Sequence, residues 1–383
     1  MWQIFKHFFS LGWVSFGGPA AHLGYFQRHF VQKLGWLKQE RYAQLIALSQ
    51  FLPGPGSSQV GFAIGYQRAG LLGGLTAFFA FTAPSFCIMF GIAIVNTSLT
   101  ENLFYQSVIH ALKLFAVVIV ADAVLTMSKQ FWQRQLGVVI GLASTVVMLI
   151  WPGISTQLLV LIAAAIIGCV QPSAPIDADN ATGSELKPKW WALVVFGLLF
   201  VGLPLLASSN PLLSLFSDFF QAGALVFGGG HVVLPLLQEA LVGQVSSDSF
   251  FLGYASAQAI PGPMFTLATF LGADLMPETP LIGALLATMA IFAPGLLLMV
   301  GFLSSWHGLM AKPRLAAAVS AVNAAVVGLL LSAWYSPIFV SSVLDAGDFA
   351  AVVVGYVLLR QLRVPVLFLV SGFCVFGVLS AMA

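Results

Sequence analysis

Apolar residues in this chain gather into long blocks, separated by short polar or glycine- and proline-rich punctuation. Blocks at Leu71–Val95, Leu103–Met127, Leu136–Trp151 and Ile154–Val170 predict four helices in the first half. Four more are predicted in the second half, at Leu281–Leu303, Leu315–Trp334, Phe349–Leu359 and Val364–Leu379. Between the halves, Trp190–Ala207 is one further unbroken block, about the length a bilayer core requires. Two other apolar segments in each half are interrupted. One breaks at FGGP (Phe16–Pro19) or FGGG (Phe227–Gly230), the other at PGP (Pro53–Pro55 and Pro261–Pro263). Proline removes a backbone donor and glycine adds no helix stability, so each interruption predicts a broken helix.

The punctuation is repeated. FSLGWVSFGGPAAH at Phe9 matches FQAGALVFGGGHVV at Phe220, an offset of 220 − 9 = 211 residues. Pro53 matches Pro261 at 261 − 53 = 208, and Pro84 matches Pro294 at 294 − 84 = 210. Lys113 falls opposite Asn323 at the same 210. Ordered matches at a near-constant offset identify a tandem duplication, 1–170 and 212–383. Residues 171–211 join the copies through the polar stretch QPSAPIDADNATGSELKPK and the single helix block after it.

Composition sets the class. Of 383 residues, 59% are hydrophobic and 7% charged, against about 25% charged in soluble domains. Mean hydropathy is +0.97. These values predict an all-α polytopic membrane protein. The first apolar run lacks a small-residue cleavage site, so no removable signal peptide is expected. Cys87, Cys169 and Cys374 are isolated in apolar runs, which argues against a metal site or disulfide framework. No cofactor is expected, and a net charge of +2 gives no ground for a nucleic-acid partner.

The placement of charge sets orientation. Arg28, Lys33, Lys38 and Arg41 follow the first break, whereas the equivalent stretch carries Glu239 and Asp248. Arg68 is replaced by Asp274 and Glu278, Lys129 and Arg134 by Asp345 and Asp348, and Glu101 by Lys312 and Arg314. Every loop swaps its bias, so the positive-inside rule predicts two inverted-topology repeats. Arg41 and Arg68 flank the PGP segment on one face, which predicts a re-entrant hairpin. The same is expected of the FGGP segments, although a membrane crossing there is the alternative. Each repeat then has about four transmembrane helices and two re-entrant segments, with one linker helix between the repeats.

Non-helical backbone at membrane depth persists only inside protein or against a water-filled cavity. Helices starting after each break would aim free amides and a positive dipole end inward, the ordinary makings of an anion site. The candidate ligand residues are Gly17, Gly18, Gly54, Gly56, Ser57 and Ser58, with Gln50 and Gln59 beside them. In the second copy they are Gly229, Gly230, His231, Gly262 and Gln258. Tight packing through Gly and Pro is the simpler alternative, but it leaves the serines and glutamines unexplained. Lys113 lies ten residues into its helix, about 15 Å deep, where a charge is functional by default. An inverted pseudo-two-fold is expected to bring Asn323 near it. Asp122, on the opposite helix face, cannot pair with Lys113 and is a candidate for proton coupling or a structural contact. His22 reads as a packed polar residue. Gly141 reads as a glycine inside an ordinary helix.

The stretches FGGPAAHL, WLKQERYAQLIALSQFLPGPGSSQVGFAIGYQRAG, FGGGHVVLPLL and YASAQAIPGPMF closely resemble the chromate ion transporter family in its long, two-domain form. The resemblance implies a multi-pass inner-membrane transporter, not an enzyme, that exports chromate and confers chromate resistance. It further implies coupling to protons by antiport, and recognition of sulfate, a dianion of matching shape. GGG in place of GGP, and Asn323 in place of Lys113, imply that the halves contribute unequally. A general oxyanion transporter, an anion channel and, remotely, an intramembrane enzyme are the other readings. A homodimer is compatible with the sequence.

Overall fold

A computed structural model describes residues 1–96, 103–170, 188–207, 210–227, 230–305, 313–380 and 382. Gly229, and all of the polar linker except Pro188 and Lys189, lie outside the described residues. Among the described residues all regular structure is helical. The first half contains α1 (Trp2–Val14), α2 (Gly18–Phe26), α3 (Gln39–Phe51), α4 (Gly56–Asn96), α5 (Leu103–Phe131), α6 (Gln135–Ile150) and α7 (Ile154–Val170). The connecting helix is α8 (Trp190–Leu206). The second half contains α9 (Pro211–Ala224), α10 (Val233–Ala240), α11 (Ser247–Ala259), α12 (Leu267–Leu275), α13 (Pro280–Phe302), α14 (Pro313–Ala333), α15 (Ala346–Arg360) and α16 (Val366–Ser380).

Local chemistry explains the boundaries. Pro211, Pro280 and Pro313 open their helices, where a missing amide costs nothing. Asn210, Ser246 and Asp345 cap α9, α11 and α15 through side-chain oxygens. Gly17 and Gly18 take φ of 95° and 74° between α1 and α2, a turn that residues with a Cβ resist.

α4 is two helices rather than one. Ala69 and Gly70 leave helical geometry, and the chain folds back there. Gly65 then lies against the carbonyl of Gly73, and Gly74 against the Phe62 ring. A straight helix would hold Gly65 and Gly73 about 12 Å apart. The second half repeats the device across a real gap: Gly272 and Gly283 meet where α12 turns back along α13, and Thr269 bonds Thr288 at 2.8 Å. The block predicted at Leu71–Val95 is thus a helix of its own, as is its counterpart α13.

The halves interlock. α14 packs chiefly on α6 and α7, and α5 chiefly on α16 and α11, with α15 beside them. The Trp132 indole, just past α5, donates to the Ala324 carbonyl at 3.0 Å. The Trp334 indole, just past α14, donates to the Val117 carbonyl at 3.1 Å. The C-terminal end of each helix thus lies beside the middle of the other, so α5 and α14 run antiparallel. Gly141 is no ordinary helical glycine, because the Trp132 ring occupies the space a side chain would need.

The outside of the bundle is apolar. Leu142, Val146, Ile162, Ile166, Leu198, Val201, Leu205, Phe368 and Val375 are exposed on α6, α7, α8 and α16. Exposed Trp13, Trp151, Trp190 and Trp191 stand at helix ends, the position tryptophan takes at a bilayer interface. Among the described residues, four helices are long and apolar enough to cross a membrane, and five shorter ones are apolar. The chain is a multi-pass membrane protein.

Candidate functional site

The two PGP turns are built into each other's half. The Gly54 amide donates to the Val226 carbonyl at 2.7 Å, and the Gly262 amide donates to the Ser15 carbonyl at 2.9 Å. Ser15 and Val226 are the residues just before FGG in the two halves. Both glycines have positive φ, 118° and 102°. A Cβ on Gly54 would lie 2.7 Å from the Gly295 Cα, and one on Gly262 would lie 2.7 Å from the Ser85 hydroxyl. A side chain on Gly230 would strike Met264 and press on Pro19. All four breaks therefore converge on one place, and its contacts come in exchanged pairs. The amides of Gly54 and Gly262 serve this junction and are not spare donors.

Donors do remain at the start of α4. The first amide there to find a backbone acceptor is that of Gln59, on the Pro55 carbonyl at 2.9 Å. Those of Gly56, Ser57 and Ser58 are the open first-turn donors of a helix. Ser57 and Ser58 are 4% and 3% exposed. The hydroxyls of Ser58, Ser15 and Thr82 and the Gln59 Oε1 are buried without a hydrogen-bond partner among the described residues. Such groups ordinarily find one. The Gln59 Nε2 ties Pro53 to Gly295 by bonds of 2.9 and 3.0 Å to their carbonyls.

The equivalent turn in the second half is less polar. Met264–Thr266 forms a 3-10 turn, with Met264, Phe265, Thr266 and Leu267 where the first half has Gly56, Ser57, Ser58 and Gln59, and the Thr266 hydroxyl is spent on the Pro263 carbonyl at 2.8 Å. The two halves share the backbone device but differ in its lining. That difference favours the first half for a polar ligand.

Each half places a histidine beside its break. The His22 Nε2 donates to the Ser15 carbonyl at 3.1 Å, and its Nδ1 lies 3.2 Å from the Ser57 hydroxyl. The His231 Nδ1 lies 3.0 Å from the Tyr254 hydroxyl and 3.3 Å from the Gln258 Nε2, which also contacts the Met264 sulfur. An amide nitrogen only donates, so His231 accepts at Nδ1 and carries its proton on Nε2. The structure thus brings together His231 of the FGGG break and Gln258 of the PGP break. Gln50 and Gly17 are exposed, and the place where a side chain on Gly18 would stand is open.

The charged residues sit elsewhere than expected. Lys113 forms an ion pair with Asp248, the lysine side chain 15% and the aspartate 63% exposed. It does not meet Asn323. The Asn323 neighbour Ala324 accepts from Trp132, nineteen residues beyond Lys113 and about 28 Å further along α5. The antiparallel crossing of α5 and α14 carries these equivalent residues to opposite ends. Asn323 is 4% exposed, and its Oδ1 has no partner among the described residues. Asp122 pairs with Arg360 at 3.0 Å, and His110 with Asp348 at 2.8 Å. All three pairs join α5 to the second half.

The sequence reading passed over Ser15, Thr82 and Tyr254, took Asp248 only as a loop charge, and treated His22 as packing. Their partners are mostly in another segment or the other half, where spacing carries no signal. Ser15 had one available clue, its place immediately before a glycine break.

Comparison with known proteins places the chain. No solved structure matches it. A probable chromate transport protein of Synechococcus elongatus is 28% identical over 86% of this chain and 83% of its own length. A chromate transport protein of Pseudomonas aeruginosa is 28% identical over 86% of this chain and 79% of its own. An uncharacterized transporter of Methanocaldococcus jannaschii is 25% identical over 86% and 82%. The chromate transporter family model matches twice, over residues 2–169 and 213–378. With both halves covered almost end to end, the chain belongs to the chromate transporter family.

Proposed function

We infer that this protein is a secondary active transporter that exports chromate across the inner membrane, coupled to protons, and so confers chromate resistance. Sulfate, of the same shape and charge, is the natural competitor. The anion binds at the start of α4, on the amides of Gly56, Ser57 and Ser58 and the two hydroxyls. One observation carries this reading: a buried helix start rich in open donors, whose equivalent in the other half keeps a single hydroxyl, that of Thr266, already bonded to the Pro263 carbonyl. Dianions suit such an end because the aligned peptide dipoles concentrate positive potential there.

In this reading the halves are inverted repeats, and transport is their rocking about the shared junction. The antiparallel run of α5 and α14 and the exchanged bonds at Gly54 and Gly262 support it. Lys113, paired with Asp248 rather than free, belongs to the outer approach. Asp122 and Arg360 hold the other end of α5.

The test is labelled chromate uptake into inverted vesicles, with and without a pH gradient. Gradient-driven accumulation that Ser57→Ala plus Ser58→Ala lowers at least tenfold supports the proposal. Accumulation unchanged by the double variant places the anion elsewhere. Flux that never exceeds equilibrium, whatever the gradient, makes the protein a channel.

A further inference from the structure

The geometry points to His22 as the proton-carrying residue of the anion site, acting through the hydroxyl of Ser57. This inference rests on the anion reading above and adds the group that couples it to protons.

His22 is fully buried. Its Nε2 faces the Ser15 carbonyl, which can only accept, so that nitrogen carries hydrogen in every state. The remaining nitrogen, Nδ1, faces the Ser57 hydroxyl at 3.2 Å. In the neutral ring Nδ1 has a lone pair, and the Ser57 hydroxyl spends its only hydrogen on it. The hydroxyl then presents lone pairs to anything bound at the helix start, and an oxyanion is repelled. When a proton from water joins Nδ1, the bond reverses. Nδ1–H donates to the Ser57 oxygen, and the serine hydrogen is released to turn towards the anion. The same proton places a positive charge one side chain from the dianion.

The surroundings leave this task to His22. The end of α1 offers it the Ser15 carbonyl, the first arm of α4 offers Ser57, and the second arm offers the Phe81 ring, edge to face at 5.4 Å. From the second half, the Gly262 amide shares the Ser15 carbonyl. On α2, the carbonyl of the next residue, Leu23, accepts from the Tyr42 hydroxyl of α3. Among the described residues no Asp, Glu, Lys or Arg forms an ion pair with His22. The proton and the anion are therefore each other's main electrostatic partners, and each must raise the other's affinity by the same factor. The Ser15 carbonyl also accepts from Gly262, so the charge state of His22 bears directly on a bond between the halves.

The experiment measures selenate and sulfate binding to the purified full chain by calorimetry from pH 5.5 to 8.5. Both anions hold a constant charge over this range, unlike chromate. Wild-type affinity should fall by up to about tenfold per pH unit on the alkaline side, with uptake of close to one proton per anion in weakly buffered solution. His22→Gln keeps an amide donor for Ser15 and an acceptor for Ser57, which locks the neutral arrangement. It should bind weakly and without pH dependence. Equal pH slopes in wild type and His22→Gln would overturn the inference. If His22→Gln does not fold, absence of proton uptake by the wild type on binding does so alone. If neither anion binds the wild type at any pH, the anion site itself is refuted, and the switch with it. Binding that is tight but indifferent to pH refutes only the switch.

Discussion

Gly54 and Val226, 172 positions apart in the chain, are joined by an amide-to-carbonyl bond of 2.7 Å, and Gly262 and Ser15 repeat the bond at 2.9 Å. Both glycines need backbone angles that other residues adopt only under strain, and both have no room for a Cβ. Gly54→Ala and Gly262→Ala should each destabilise the protein by about 1–3 kcal/mol from the backbone angle alone, before any clash. Gly197→Ala, in α8 with open space around it, should be neutral or slightly stabilising. Thermal unfolding in detergent measures all three. Unfolding temperatures that rank Gly197→Ala with the other two would show that the turns are not under this constraint.

The two indole bonds between α5 and α14 make a second prediction. Trp132→Phe and Trp334→Phe each remove a hydrogen bond worth about 0.5–1.5 kcal/mol and keep much of the ring. Their effects on stability should be similar in size and close to additive in the double variant. A large effect of one and none of the other would show that only one bond is structural.

Much of this architecture is legible in the sequence, because apolar block length and glycine–proline punctuation act locally. The block at Ile154–Val170 coincides with α7, and Trp190–Ala207 runs one residue past α8. The offset of the repeats is likewise visible without coordinates. What the sequence hides is which half completes which break. Ser15 is needed because Gly262 lacks an acceptor, a relation that no spacing encodes. The expected nearness of Lys113 to Asn323 failed for a similar reason. Depth along one helix can be counted, but the crossing point with α14 and the nearness of Asp248 cannot. His22 looked like a packed residue until Ser57 stood beside it.

The Lys113–Asp248 pair predicts opposite effects from its two members. Lys113→Ala removes a cation from the approach to the site and should weaken transport by roughly tenfold or more, if charge in a membrane segment is functional. Asp248→Asn leaves that cation unpaired and should lower the KM for anion on the outer face. Flux in both directions across oriented vesicles separates the two. If Asp248→Asn impairs transport as strongly as Lys113→Ala, the pair is a strut and not part of the path.

Topology is testable independently of transport. In a background lacking Cys87, Cys169 and Cys374, single cysteines at Lys33, Arg68 and Lys129 should react with impermeant reagents from the cytoplasm. Cysteines at Glu239, Glu278 and Asp345 should react from outside. Labelling of equivalent positions on one face would remove the inverted arrangement.

The packing of α14 on α6 and α7, and of α15 and α16 on α5, has a consequence for biosynthesis. A ribosome that has delivered residues 1–170 has delivered the Gly54 amide without Val226 and the Ser15 carbonyl without Gly262. The nascent first half enters the bilayer with its central turns unsealed and α5 lacking its covering helices. The turns can seal only once Val226 and Gly262 have emerged, and α5 is covered only when the last helices follow. Maturation should therefore close in two stages, and truncation near the C-terminus should leave α5 bare while the central turns are already sealed.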